Sequence, residues 1–261
     1  MAESSLSLTF HGLRSAVGYK LGYGTDSSVW TANQTAEING IVASGLRQFY
    51  NPPPLRSGEV GHVWSFLRLA AQIEMVADQG DYTAPDDFGG LDGPITYEPT
   101  VYDGKIVVVP EWKIREMRQS SDLASYPRFV AVRPKSSTGS SGQRFEFMFF
   151  PVPDAGYLLN YRYHFLANAV DASYPYPMGG QPHAETILES CLAIAETRSE
   201  DGVSSVHREL FAERLAASVA YDKRVSAPDC LGYNGDNSDR AGYGKRNRSD
   251  IEVTYNGVSY E

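Results

Sequence analysis

Only two of the 261 residues are cysteine, Cys191 and Cys230, and they stand in unlike surroundings. Cys191 falls among apolar positions at helical spacing, where a buried thiol is the ordinary outcome, whereas Cys230 follows Pro228 and Asp229 in a polar stretch. A disulfide framework is not expected, which fits a reducing interior. No apolar run reaches the roughly 20 residues that cross a bilayer, so no membrane partner is expected. Residues 1–8 have neither a basic n-region nor a following apolar core, and the chain is expected to be unexported. On that expectation the acceptor-like Asn33-Gln34-Thr35 carries no weight. Positive charge is also scarce, with 23 Lys and Arg against 32 Asp and Glu and a formal net charge of −9. A general nucleic-acid binder needs the opposite balance. A wall past which DNA slides does not, because like charge keeps the polymer from sticking.

Catalytic signatures are missing as well. The five histidines, His11, His62, His164, His183 and His207, show no zinc-site spacing. Asp86, Asp87 and Asp92 lack the alternating ligands and closing glutamate of a calcium loop, and read as turn residues, as do Asp78 and Asp81. Leu21-Gly22-Tyr23-Gly24 is a turn and not a phosphate cradle, and no Gly-x-Ser-x-Gly elbow occurs. No catalytic residue, cofactor or metal is expected. A small soluble hydrolase, the enzyme alternative, would need carboxylates or histidines that converge only in space.

What is present is a patterned globular chain. Hydrophobic residues at 42% and charged residues at 21% exclude global disorder. Seventeen Tyr, 24 Gly and 15 Pro predict many turns and many amphipathic rings at half-wet surfaces. Ile38, Ile41, Val42, Leu46 and Phe49 form a helical stripe that Thr31 caps and Pro52-Pro53-Pro54 ends. Gly40 and Gly45 lie inside this helix beside Ile41, and small residues there would admit a close neighbour, making it a candidate inter-subunit helix. Strands are expected within 62–81, from the alternation of Ile73, Met75 and Ala77, and turns over 86–94. Strands at 95–97 and 106–109, a helix over 111–119 and a strand over 129–132 follow.

The strongest local pattern comes next. Phe145, Phe147 and Phe149 share one face, and after Pro151-Val152-Pro153-Asp154-Ala155-Gly156 so do Tyr157, Leu159, Tyr161, Tyr163 and Phe165. The expectation is a β-hairpin in an antiparallel sheet, with 134–142 a flexible tip. Ala184, Ile187, Leu188, Cys191, Leu192 and Ala195 then mark a helix that begins near Pro182, and Val206, Leu210, Phe211, Leu215 and Val219 a second, antiparallel one. Residues 227–249 are rich in Gly, Asn, Asp and Ser, and Ile251, Val253 and Tyr255 end the chain on a strand-like note. Such a tail is expected to gain order by adding a strand to a partner's sheet.

The fold class expected is α+β: a helical bundle with an inserted antiparallel β-rich region and an extended C-terminal tail. Residues 1–60 would supply the first bundle helix, 61–175 the β-rich insertion, 176–226 the helical pair that completes the bundle, and 227–261 the arm.

Several stretches, in this order, resemble the head–tail adaptor (connector) proteins of tailed bacteriophages and related prophages. They are NQTAEINGIVASGLRQFYNPPP from Asn33, HVWSFL from His62, GDYTAPDDFGG from Gly80, REMRQSS from Arg115, GQRFEFMFFPVPDAGYLLNYRYHFL from Gly142 and YPMGGQPHAETILESCLAIAE from Tyr176. With the following helix they cover about residues 21–224. The resemblance implies a non-enzymatic virion protein of the phage neck, present in the host cytoplasm during assembly. It implies a homo-oligomeric ring, commonly of twelve copies, that joins the portal protein to a stopper or tail protein and lets double-stranded DNA pass through its lumen. Residues 227–261, with Tyr233, Tyr243, Ile251, Val253 and Tyr255, become the candidate portal-binding arm. A stopper or tail-terminator protein on the tail-tube side is the alternative within the virion.

Overall fold

A computed structural model describes residues 4–54, 60–98, 105–135, 139–140, 142–199 and 206–226, with the backbone of Val253–Tyr255 and Val258–Tyr260. The chain divides into two compact units, Met1–Val219 and Ala220–Glu261.

The first unit opens with helix α1 (Phe10–Lys20), capped by Thr9, whose hydroxyl accepts the Gly12 N–H. Helix α2 (Ala32–Tyr50) starts at the expected Thr31 cap, and the structure adds Gln34 to make it a reciprocal capping box. A 3₁₀ turn at Ser65–Leu67 then leads into strands β1 (Arg68–Glu74), β2 (Asp81–Thr83), β3 (Phe88–Leu91), β4 (Ile95–Tyr97) and β5 (Lys105–Val108). Helix α3 (Glu111–Ser120) is followed by β6 (Phe129–Lys135), β7 (Arg144–Phe150) and β8 (Leu158–Phe165). A second 3₁₀ turn, Gln181–His183 with Pro182, opens α4 (Ala184–Ser199), and α5 (Val206–Val225) continues into the second unit.

The eight strands form one curled sheet in the order β1-β8-β4-β5-β6-β7-β2, with β3 also on β8. All pairs are antiparallel except β5 with β6. Two expectations are corrected here. The sheet is the centre of the fold and not an insertion into a helical bundle. One continuous apolar core runs from Leu13 and Val17 of α1 through Phe49 and Trp64 to Phe147, Leu159 and Tyr161 of the sheet, so helices and strands bury their faces against each other. The expected β7–β8 hairpin is absent too: β7 bonds to β6 and β2, while β8 bonds to β1, β3 and β4. The two alternating aromatic faces are real, but they meet across the curled sheet instead of lying side by side. Phe147 packs edge-on against Tyr161 with ring centroids 5.4 Å apart. Residues 86–94 hold the strand β3 as well as turns.

Outside the sheet, α3 covers β6 and β7 through a second small core of Ile114, Ala131, Met148 and Phe150. On the helical side α2 lies against α4, where the Ser190 hydroxyl donates to the Gly45 carbonyl at 2.8 Å. Trp64 joins the layers by donating its indole N–H to the Phe49 carbonyl at 2.7 Å, among the rings of Phe49, Phe66 and His183. Helix α5 runs antiparallel to α4: the His207 N–H meets Glu196 near the end of α4 and its ring reaches back to Glu189, while Arg214 meets Glu185 near the start. The second unit contains the end of α5 and a two-stranded hairpin, β9 (Val253–Tyr255) with β10 (Val258–Tyr260).

Candidate assembly surfaces

The helix α2 residues proposed to face another subunit divide between two environments. Ile41 is fully buried, and Gly45 is pressed against α4, where an added Cβ would stand 2.6 Å from the Cys191 sulfur and 2.7 Å from its Cα. Their close neighbour is thus the chain's own helix. Gly40 is half-buried and has only an Arg198 guanidinium nitrogen, 3.7 Å from where a Cβ would be. Of the arm residues, Val253 and Tyr255 lie in β9, opposite Tyr260 and Val258. Tyr233, Tyr243 and Ile251 lie outside the described residues.

An open sheet edge was not anticipated. Strand β1 bonds on one side to β8 over seven paired residues, from Arg68 opposite His164 to Glu74 opposite Leu158. On the other side no strand is paired with it among the described residues. Met75 continues the ladder by donating to the Tyr157 carbonyl at 2.7 Å. Antiparallel alternation then turns the amides of Leu69, Ala71 and Ile73 towards β8 and those of Ala70, Gln72 and Glu74 outward. Leu69, Ala70, Gln72 and Glu74 are exposed. The alternation around Ile73 and Met75 in the sequence marks a strand; only the pairing shows it to be an edge. Trp112 at the start of α3 is also largely exposed, as are Val107 and Val108 of β5.

Several titratable groups are engaged in packing. His207 holds α5 to α4, its Nδ1 lying 2.7 Å from Glu189 Oε2 and its backbone N–H donating to Glu196. Lys20 reaches Glu196 at 3.8 Å, and Thr186 and Ser218 share a hydroxyl contact of 2.6 Å in the same seam. Both carboxylates are buried, and opposite charges on neighbouring helices compensate their desolvation. His183 is a buried member of the aromatic cluster, and His62 lies edge-on to Trp64. His164 is half-buried beside Arg68 and Asp92. Burial first, then the positive charge of Arg68, lower its pKa, and Asp92 partly opposes them.

Asp86 pairs with Arg144 at 2.9 Å, Asp87 accepts the Tyr163 hydroxyl at 3.1 Å, and Asp92 is held by Arg162 and Arg68. A surface cavity of about 460 Å³ is lined by Asp78, Gln79, Asp81, Ser121 and Asp122. Its one guanidinium, Arg118, directs a single nitrogen, Nη2, to the carbonyls of Gly80 and Phe149 and to Asp81. That geometry ties β2 and β7 to α3. Among the described residues no three His, Cys, Asp or Glu side chains converge in a way that could hold a metal ion.

The chain matches no protein-family model and no curated protein sequence. Among the described residues, no helix is long and apolar enough to cross a membrane.

Proposed function

We propose that the chain is a structural protein of the phage neck, a ring-forming adaptor that docks on the portal and passes the genome to a stopper or tail protein. The reading is supported by the ordered resemblance over residues 21–224. The observation that carries it furthest is the division of the chain into a large unit, Met1–Val219, and a small second unit, Ala220–Glu261, that contains a hairpin. A body that packs into a ring and an arm that grips a different partner are two attachments on one chain, as a joint between unlike rings requires. The net charge of −9 suits a lumen that DNA must traverse without adhering.

On this proposal the protein belongs to the virion, assembles from the host cytoplasm and carries out no turnover. Assembly of the encoding phage without this chain should yield filled or leaky heads that lack tails. Tailed, infectious particles formed in its absence would contradict the reading.

A further inference from the structure

A small cavity of about 190 Å³ lies where the end of α2 meets the end of β8. Arg47, Tyr50 and Asn51 line it from the end of α2, at positions i, i+3 and i+4 that share one helix face. His164 lines it from β8, and Leu67, Phe165 and Leu166 supply apolar wall. No carboxylate lines it among the described residues. We propose that this cavity binds a single carboxylate group, held by the Arg47 guanidinium and the His164 imidazole, with a short apolar body against Leu67 and Leu166. The inference does not rest on the neck reading.

The two polar groups have bonding capacity to spare. Arg47 is exposed, and its guanidinium has no hydrogen bond or ion pair among the described residues. His164 Nδ1 is a buried atom without a hydrogen-bond partner, so its desolvation is uncompensated, which is uncommon for a buried polar atom. Charge decides the sign of the occupant. The C-terminus of α2 contributes roughly half a negative charge, and two carbonyls there, those of Arg47 and Phe49, are already taken by the Asn51 N–H and the Trp64 indole. Arg47 brings a full positive charge on the same turn. Beside His164, Arg68 and Asp92 oppose one another. The balance at the cavity is therefore positive, in a chain whose net charge is −9. Apolar walls strengthen a charged hydrogen bond formed between them. Size decides the rest. Pockets for drug-sized ligands measure roughly 300–1,000 Å³, so this one takes a small acid or the carboxylate end of a longer chain, and not a nucleotide. Binding should also tighten as pH falls from about 7.5 to about 5.5, because a carboxylate beside His164 favours its protonated form.

The test is an NMR titration of the full chain with sodium butyrate at constant ionic strength, following backbone amides and the His164 ring. Butyrate should shift the amides of Asn51, Leu166 and Ala167 saturably, with a dissociation constant in the millimolar range, and should raise the His164 pKa. Butyramide, similar in shape but uncharged, and sodium chloride should do neither. Arg47→Gln should weaken butyrate binding about tenfold or more and leave the thermal melt in place, since Arg47 is exposed. Arg115→Gln, on the exposed side of α3, should bind as wild type does. Trialanine with a free C-terminus, compared with its amidated form, separates two sources of the group. Tighter binding than butyrate by the free form alone assigns the site to the end of a partner chain, and weaker binding assigns it to a free short-chain acid. Equal shifts with butyramide or chloride, no saturation with either butyrate or trialanine, a His164 pKa unmoved at saturation, or an Arg47→Gln chain that binds like wild type would each overturn the proposal.

Discussion

Gly40 and Gly45 lie five residues apart in α2 and have opposite reasons to be small, or none. Gly45 has no space for a methyl group, because Cys191 of α4 occupies it. Gly45→Ala should destabilise the chain by about 1–3 kcal/mol, the usual effect of overpacking a tight contact. Gly40→Ala meets only Arg198 at 3.7 Å and should leave stability unchanged or raise it by up to about 1 kcal/mol. Urea unfolding of the two variants separates these outcomes. The sequence shows both glycines and their place in a helix, but not which neighbour each meets, since that depends on the register of a helix 140 residues later. Cys191 itself was expected to be buried, and it is; burial pushes its thiol to about 12. It should resist thiol reagents at pH 8 until the chain unfolds, which mass-resolved labelling would measure.

His164 makes a prediction about acid. Its folded value lies below the 6.5 of a free imidazole, through burial and Arg68. As pH falls below about 6.5 the unfolded chain therefore takes up the proton first, and stability drops towards and through the folded value. His164→Gln should flatten that part of the stability–pH curve, read as urea midpoints between about pH 7 and pH 5. An unchanged slope would show that the imidazole is not held neutral.

At the scale of elements, short-range signals carried well. The Thr31 cap of α2, the proline stop after it, the strand at Ile95–Tyr97, the helix α3 and the antiparallel α4 and α5 all stand where local chemistry places them. Helix α1 escaped because its apolar positions are few, Leu13 and Val17 being its buried aliphatic residues. Strand β3, Phe88-Gly89-Gly90-Leu91, reads as a turn because two glycines fill its middle. The β7–β8 error is more instructive. Alternation tells which face of a strand is buried, but not which strand lies beside it. Here the seven residues between them, 151–157, carry the chain across the core instead of folding it back in the same plane. Phe147 sits at that crossing, fully buried against Phe88 and Tyr161. Phe147→Ala should cost about 3–5 kcal/mol, and chemical denaturation should show one transition for helices and sheet together. Two separate transitions would mean that the shared core does not couple them.

For the whole molecule, the sequence pointed to α and β segments in nearly their right places and to the wrong centre. A bundle with a β insertion requires two cores. The first unit instead has one large core from α1 to β8, supplemented by the small cluster under α3. No local pattern reports whether two apolar faces meet each other or something else. The composition changes after residue 226, whereas the second unit begins at Ala220, within α5, and the strand-like Val253–Tyr255 is one half of a hairpin. The neck reading assigns residues 227–261 to the portal. Mixing the full chain with cognate portal rings and weighing the products by mass photometry tests it most directly. The account predicts a discrete complex with about one copy per portal subunit, lost when residues 227–261 are removed from a chain that still folds. A full-length chain that never adds to the portal, at any salt or protein concentration, would contradict it.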